Sequence, residues 1–224
     1  MRTIVVSTHL STYSRRACCA AMVLGCLTIP AKAQESAGSP TAVAPVYKVG
    51  DTWIFLRGNG EAPPGEKLVQ TVVSVTDDRT TFSDSINGGT PYEADCDNQG
   101  SSTRKGTSTY EPNIGWLRFP MTVGKSWDAR YLLRYPGGSI DVIQHVEVVA
   151  FERVQVPAGS FDAYRLVVSG LRKSHVGGGR ALHFSATYWY APSVKLIFKT
   201  EYKSYPYGGI DTSTSELVAI SLAP

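Results

Sequence analysis

Ser126–Arg134 (SWDARYLLR) sets Trp127, Ala129, Tyr131 and Leu133 against Asp128, Arg130 and Arg134, with one apolar side chain at every second position. Successive side chains of a strand point to opposite faces of a sheet, so such a run buries one face and wets the other. The same period returns downstream. Ile140–Val154 carries Val142, Val146 and Val148 on one side, and Ala163–Lys173 carries Tyr164, Leu166 and Val168. Ala181–Tyr190 (ALHFSATYWY) aligns Leu182, Phe184, Ala186, Tyr188 and Tyr190, leaving His183, Ser185 and Thr187 opposite. Strands wet on one face belong to antiparallel sheets. Turn clusters separate them: Tyr135-Pro136-Gly137-Gly138, Pro157-Ala158-Gly159, Gly177-Gly178-Gly179, Ala191-Pro192-Ser193 and the run Tyr205 to Gly209.

The first half is less regular. Thr52–Arg57, Lys67–Thr76 and Thr80–Ile86 read as strands, the second with Val69, Thr71, Val73 and Val75 on one face, and Val194–Tyr202 and Thr212–Ser221 complete the set. Thr90 to Tyr110 is polar and reads as a loop. No stretch of ten residues has helical periodicity. The fold class is therefore all-β, an antiparallel meander of about nine or ten strands. A sheet of that width must curl strongly, close like a barrel or split into a sandwich, because a flat one leaves edges and an uncovered apolar face. Val49-Gly50-Asp51-Thr52-Trp53 and Val123-Gly124-Lys125-Ser126-Trp127 repeat one pattern of glycine, charge, hydroxyl and tryptophan at a strand start. It reads as a recurring turn device that sends an aromatic anchor into the core.

Residues 1–33 read as a cleaved secretory signal. Arg2, Arg15 and Arg16 lead into the apolar run Ala17–Pro30, which at 14 residues is too short for a bilayer that needs about 20, and Ala31-Lys32-Ala33 is a signal-peptidase site. The expected protein starts at Gln34 in the periplasm or outside the cell, with 34–45 a flexible leader and 46–224 one β-domain. An alternative reads Val23-Leu24-Gly25-Cys26 as a lipobox, which would lipidate Cys26 and tether the chain to a membrane. Cleavage takes four of the 22 Lys and Arg and none of the 19 Asp and Glu, leaving a net charge of −1. Such a domain has no electrostatic reason to bind nucleic acid or an anionic membrane surface. It keeps one cysteine, Cys96, so no internal disulfide can staple it.

Tyr47–Phe55 (YKVGDTWIF), Phe119–Asp128 (FPMTVGKSWD), Val156–Leu166 (VPAGSFDAYRL) and Tyr188–Val194 (YWYAPSV) carry a resemblance to uncharacterised exported bacterial β-proteins, some of them lipoprotein-carrier-like curved sheets. The resemblance spans about Tyr47 to the end and implies fold and export, with no catalytic residues. Such families often have glycine after the Tyr-Ala-Pro turn, where this chain has Val194-Lys195.

The chemical candidates are few. His145 and Glu147 share a strand face and could supply two metal ligands, with no third fixed by spacing. Asp95 to Gly100 opens like a calcium loop, with Glu93 nearby, but Gly106 stands where a bidentate glutamate is needed. Ser102 and Lys105 have serine–lysine spacing without a helix to join them. Asp95 and Asp97 disfavour a reactive Cys96 thiolate. There is no nucleophile elbow and no phosphate-binding loop. The aromatic residues weigh most: Tyr188, Tyr190, Tyr202 and Trp127 could line an apolar pocket in a curled sheet. The resulting expectation is a non-catalytic envelope protein, without a cofactor, that holds a hydrophobic or lipid-like ligand. The alternative is a protein–protein interaction module of the envelope; a hydrolase or metal enzyme is the least supported.

Overall fold

A computed structural model describes residues 40–60, 65–177, 179–206 and 208–224. The expected signal (1–33), Cys26 and residues 34–39 lie outside the described residues. The chain forms twelve antiparallel strands: β1 (Thr52–Asn59), β2 (Glu66–Val75), β3 (Arg79–Ile86), β4 (Tyr92–Asp97), β5 (Ser102–Lys105), β6 (Ser108–Glu111), β7 (Ser126–Tyr135), β8 (Gly138–Val156), β9 (Gly159–Ser174), β10 (Ala181–Ala191), β11 (Leu196–Ser204) and β12 (Asp211–Ser221). Each pairs with the next, and β1 pairs with β12, closing the meander into a barrel. Closure removes both sheet edges, which answers the hazard that a wide open sheet would carry.

The expectation of nine or ten strands is corrected to twelve. The extra three, β4 to β6, come from the Thr90–Tyr110 segment that reads as a loop. β5 and β6 are short and polar on both faces, β5 (STRK) being half-buried throughout; β4 alternates, with Tyr92, Ala94 and Cys96 against Glu93, Asp95 and Asp97, but over six residues only. Their turns rest on glycine, with Gly100 and Gly106 at φ of 74° and 56°. On β2 the face that carries Val69, Thr71, Val73 and Val75 is the outer one. Val73 and Val75 are exposed on the outer wall, and Leu68 and Val72 are the buried pair, with Gln70 between them on the inner face.

Eight strands enclose a space that side chains just fill, and the width of a barrel grows with strand number. Twelve strands need additional material inside, and the loop Pro112–Lys125 between β6 and β7 supplies it at one end, here called the base. Ile114, Leu117 and Met121 are buried there. Trp116 packs on Tyr188 with ring centroids 4.6 Å apart, and Phe119 meets Tyr190 edge-on at 5.3 Å. The turns after β2, β4, β8 and β10 share this end, whereas those after β1, β3, β5, β7, β9 and β11 form the opposite end, the mouth. The outer wall carries Arg130, His145, Glu147, Lys199 and Glu216 on its strands. In lipid, charged side chains at mid-strand cost about 2–4 kcal/mol each, so this wall is built for water.

The repeated turn holds the base together. Gly50 and Gly124 adopt φ of 94° and 87°, and their N–H groups donate to Val72 and Val148 at 2.9 and 2.8 Å. Those valines donate back to Asp51 and Lys125. Trp53 Nε1 then donates to the Val194 carbonyl at 2.8 Å, and Trp127 Nε1 to the Gly115 carbonyl at 2.9 Å. One copy opens β1 and the other β7, so the device recurs six strands apart. Its charged residue serves the base in both copies. Lys125 Nζ donates to the carbonyls of Arg118 and Pro120 in the plug. Asp51, fully buried, accepts from Lys195 Nζ at 2.6 Å and from the backbone N–H groups of Lys48 and Ala223 at 2.9 Å each. Lys195 sits at φ 68°, a left-handed conformation natural to glycine, and its ion pair to Asp51 ties that turn to the start of β1. Pro40 to Val46, partly within the stretch read as a leader, runs along the base, where Ala42 exchanges two backbone hydrogen bonds with Met121.

Burial alone would raise the Asp51 carboxyl, but the Lys195 ammonium and the two backbone donors outweigh it and hold the group below its ordinary 3.8. A carboxyl depressed on folding stabilises fully above its unfolded pKa and loses that contribution as pH falls through the lower, folded value. Asp51→Asn should therefore destabilise the protein by about 2–4 kcal/mol at pH 7, by leaving the partly buried Lys195 and two backbone donors without the carboxylate they share. In urea unfolding the gap between variant and wild type should close as the medium is acidified below pH about 4. Equal midpoints at neutral pH would show that the clamp is not stabilising.

Candidate functional site

Above the plug, the inner face changes character. Inward positions of β7 to β10 are mainly apolar or aromatic, with Gln144 and Arg172 as polar exceptions, whereas β1 to β5 present Arg57, Glu66, Gln70, Asp84 and Lys105 on the mouth-side inner wall. Register places them together: Arg57 opposes Glu66, Gln70 opposes Asp84, and Ala94 opposes Lys105. A cavity of about 250 Å³ is lined by Arg57, Gln70 and Lys105 of this set, with Asp84 fully buried outside its lining. Phe55, Leu68, Phe82 and Cys96 supply apolar wall, Trp116 of the plug closes it below, and Arg57, Gln70 and Lys105 border it on the mouth side. A shallower recess of about 480 Å³ at the mouth is bounded by Asn59, Arg172, Tyr202 and Ser213.

Arg57 is neutralised by Glu66 at 2.7 Å, a half-exposed pair of little energetic weight. Asp84 is different. It is fully buried, and neither carboxylate oxygen meets a donor at good hydrogen-bonding geometry, although the Gln70 side chain beside it favours the charged form as a hydrogen bond does. The nearest cation is Lys105 Nζ at 4.0 Å, too far for a hydrogen bond. Burial pushes the Asp84 carboxyl above its ordinary range, and Lys105, Gln70 and Arg57 offset this only in part. Burial likewise lowers the Lys105 ammonium, with Asp84 opposing the shift. A β-bulge between Asp95 and Cys96 lets both Ser102 and Lys105 face the cavity without a helix. Sequence periodicity could not show this, because it depends on the bulge.

The aromatic set read from the sequence does not line this cavity. Tyr188, Trp127 and Tyr190 are buried inside the β7–β10 half, where the plug rings of Trp116 and Phe119 already lie against the tyrosines. Tyr190 also borders a groove of about 760 Å³ beneath Pro40–Val46. Tyr202 stacks on Phe184 at 5.7 Å and reaches the mouth recess. Burial raises the phenols of Tyr188 and Tyr190 well above their ordinary value, as expected of core residues.

His145 lies on the outer wall, where its Nδ1 meets Asp128 Oδ1 at 2.7 Å, and Glu147 follows on the same exposed face. Among the described residues, no group of three or more His, Cys, Asp or Glu is placed to hold a metal ion. The acidic loop is occupied by its own chain. Asp95 accepts from Arg104 at 2.7 Å and Thr81 at 2.8 Å, while Asp97 accepts from Gln99 and Ser101 N–H groups and from Asn113 Nδ2. Arg104 also binds Glu93 at 2.8 Å.

Burial, followed by the Asp97 charge, pushes the Cys96 thiol up to about 12. In the folded protein Cys96 should resist an aromatic disulfide reagent at pH 8 and react only on unfolding; rapid native labelling would contradict this burial. The plug can be tested at Gly115, which has φ 69° and where an added Cβ would come within 2.5 Å of Ala129 Cβ. Gly115→Ala should destabilise by about 2 kcal/mol or more and disturb the near-ultraviolet signal of Trp127; an unchanged melting temperature would show that the plug yields freely.

No protein-family model and no curated protein matches the chain. Two solved structures share its architecture. A candidate lipoprotein from Parabacteroides distasonis superposes with a TM-score of 0.52 at 14% identity, covering 80% of this chain and 97% of that one. A candidate exported protein with a YmcC-like fold from Bacteroides fragilis gives 0.52 at 16% identity, covering 81% and 100%. At such identities the likeness establishes a shared fold.

Proposed function

We propose that this chain is an exported envelope protein that binds a small, partly apolar ligand in the mouth-side lumen of its barrel, without catalysis. The observation that supports this reading is the lumen cavity, with an apolar wall, an aromatic floor at Trp116 and polar groups toward the mouth. Ligand sites are concave and mainly apolar, with a few placed polar groups. At about 250 Å³ the cavity falls just under the roughly 300–1,000 Å³ of drug-sized pockets, so its occupant is a small molecule or one end of a longer one. The earlier expectation of a lipid-like ligand is thereby narrowed to a molecule with a polar end. Export is supported by the signal-like residues 1–33 and by the descriptions of the two structural neighbours as a lipoprotein and an exported protein.

Native mass spectrometry of the protein purified from its own cell envelope tests both parts. The expected spectrum shows a chain beginning at Gln34 with an added small-molecule mass that is lost on denaturation. A chain beginning at a lipidated Cys26 would select the tethered alternative. An uncleaved chain would contradict export, and a bare mass would contradict ligand binding.

A further inference from the structure

The lumen cavity presents two cations and no free anion. Arg57 and Lys105 both line it, each with its side chain 38% exposed. Among the described residues that line it, Asp95 is the one carboxylate, and its two oxygens are taken by Thr81 at 2.8 Å and Arg104 at 2.7 Å. Glu66 and Asp84, the carboxylates beside the two cations, are not part of the lining. Neither cation is fully used. Arg57 gives Nη1 to Glu66 at 2.7 Å and keeps further N–H groups in its fork. Lys105 Nζ makes no hydrogen bond among the described residues, since Asp84 at 4.0 Å is beyond reach. Asp84 is fully buried, and burial drives its carboxyl upward toward the neutral form, which lessens its claim on Lys105. The two cations also act on one another: burial lowers the Lys105 ammonium, Asp84 opposes that shift, and Arg57 adds to it.

A negative group placed between Arg57 and Lys105 would relieve their repulsion and give Lys105 the acceptor it lacks, through charge-assisted hydrogen bonds. An ammonium ligand would meet two like charges, and a neutral one would leave Lys105 without a charged acceptor. The remaining wall suits a hydrocarbon, with Phe55, Leu68, Phe82 and Leu196 around the space and Trp116 closing it. About 250 Å³ is some eight volumes of roughly 30 Å³, the share of one water, which is room for a tail of about eight carbons and not for a whole membrane lipid. We infer that the lumen takes an amphiphile with an anionic end, a carboxylate or a phosphate monoester, held between Arg57 and Lys105 with its apolar tail against Trp116. This names the ligand class of the lumen site and rests on the reading of that lumen as a binding site.

The test is tryptophan fluorescence and calorimetric titration with four probes of equal tail: octanoate, octyl phosphate, octan-1-ol and octylammonium. At least one anionic probe should bind about tenfold or more tightly than either of the other two. Which anion binds better separates a fatty-acid carboxylate from a phosphorylated lipid end. Lys105→Gln and Arg57→Gln should each weaken that binding by about fivefold or more while leaving octan-1-ol within about twofold of wild type. A merely structural role for these side chains would weaken both kinds of probe alike. Should Lys105→Gln not fold, Arg57→Gln and the probe selectivity of the wild type still decide the matter.

Octan-1-ol or octylammonium binding as tightly as the anions, equal losses for anion and alcohol in the variants, or both variants keeping wild-type affinity would overturn the anion selection while leaving lumen binding intact. Failure of all four probes to bind at about 1 mM overturns the selection as well. The lumen reading falls with it only when the envelope-purified protein also carries no ligand.

Discussion

The number of strands constrains everything else in this protein. A closed sheet of twelve strands encloses more space than its inward side chains can occupy, so the chain must bring in other segments or leave room. It does both, at opposite ends. At the base, Ile114, Leu117 and Met121 enter from the β6–β7 loop, and the segment from Pro40 to Asp51 runs alongside them. At the mouth-side lumen no loop enters among the described residues, and the inner wall turns polar over β1 to β5.

The base is over-determined, and the recurring turn explains how. Each copy uses a left-handed glycine to begin a strand, a tryptophan to reach the core, and the indole N–H to hold a loop carbonyl. Each then adds a charge suited to its surroundings: Lys125 faces plug carbonyls, and Asp51 faces an ammonium and two backbone donors. The left-handed Lys195 belongs to the same arrangement, since a glycine there would ease the backbone but could not supply Nζ to Asp51. The mouth-side lumen follows the opposite logic. Asp84 is fully buried with its nearest cation, the partly exposed Lys105, 4.0 Å away, an arrangement that sacrifices stability. A rigid closed end and an unsatisfied polar lumen make the barrel a cup.

Much of the fold was legible because β7 to β10 alternate cleanly. Their inner faces, from Trp127 through Val146, Leu166 and Tyr188, are those that periodicity names. The same rule failed wherever the inner wall is polar. On β2, Gln70 dilutes the buried face while Val73 and Val75 enrich the exposed one, so the period gives the shared face but not which side is inward. β5 and β6 disappeared into a loop for the same reason, and β4 because its alternation of Tyr92, Ala94 and Cys96 runs over six residues only. The candidate site was illegible on this account: its residues look like solvated polar positions until closure turns them inward. The bulge that aims Ser102 and Lys105 into one cavity leaves no periodic trace. Aromatic content pointed to Tyr188 and Tyr190, which are packed against the plug, whereas Trp116, carried on a loop, forms the cavity floor.

The most direct test of the cup is a crystal structure of the protein isolated from its own envelope and never unfolded. The account predicts density for a bound molecule in the lumen cavity against the Trp116 ring, with a polar atom within hydrogen-bonding distance of Arg57, Gln70 or Lys105. An empty lumen, with a ligand bound elsewhere on the barrel, would contradict it.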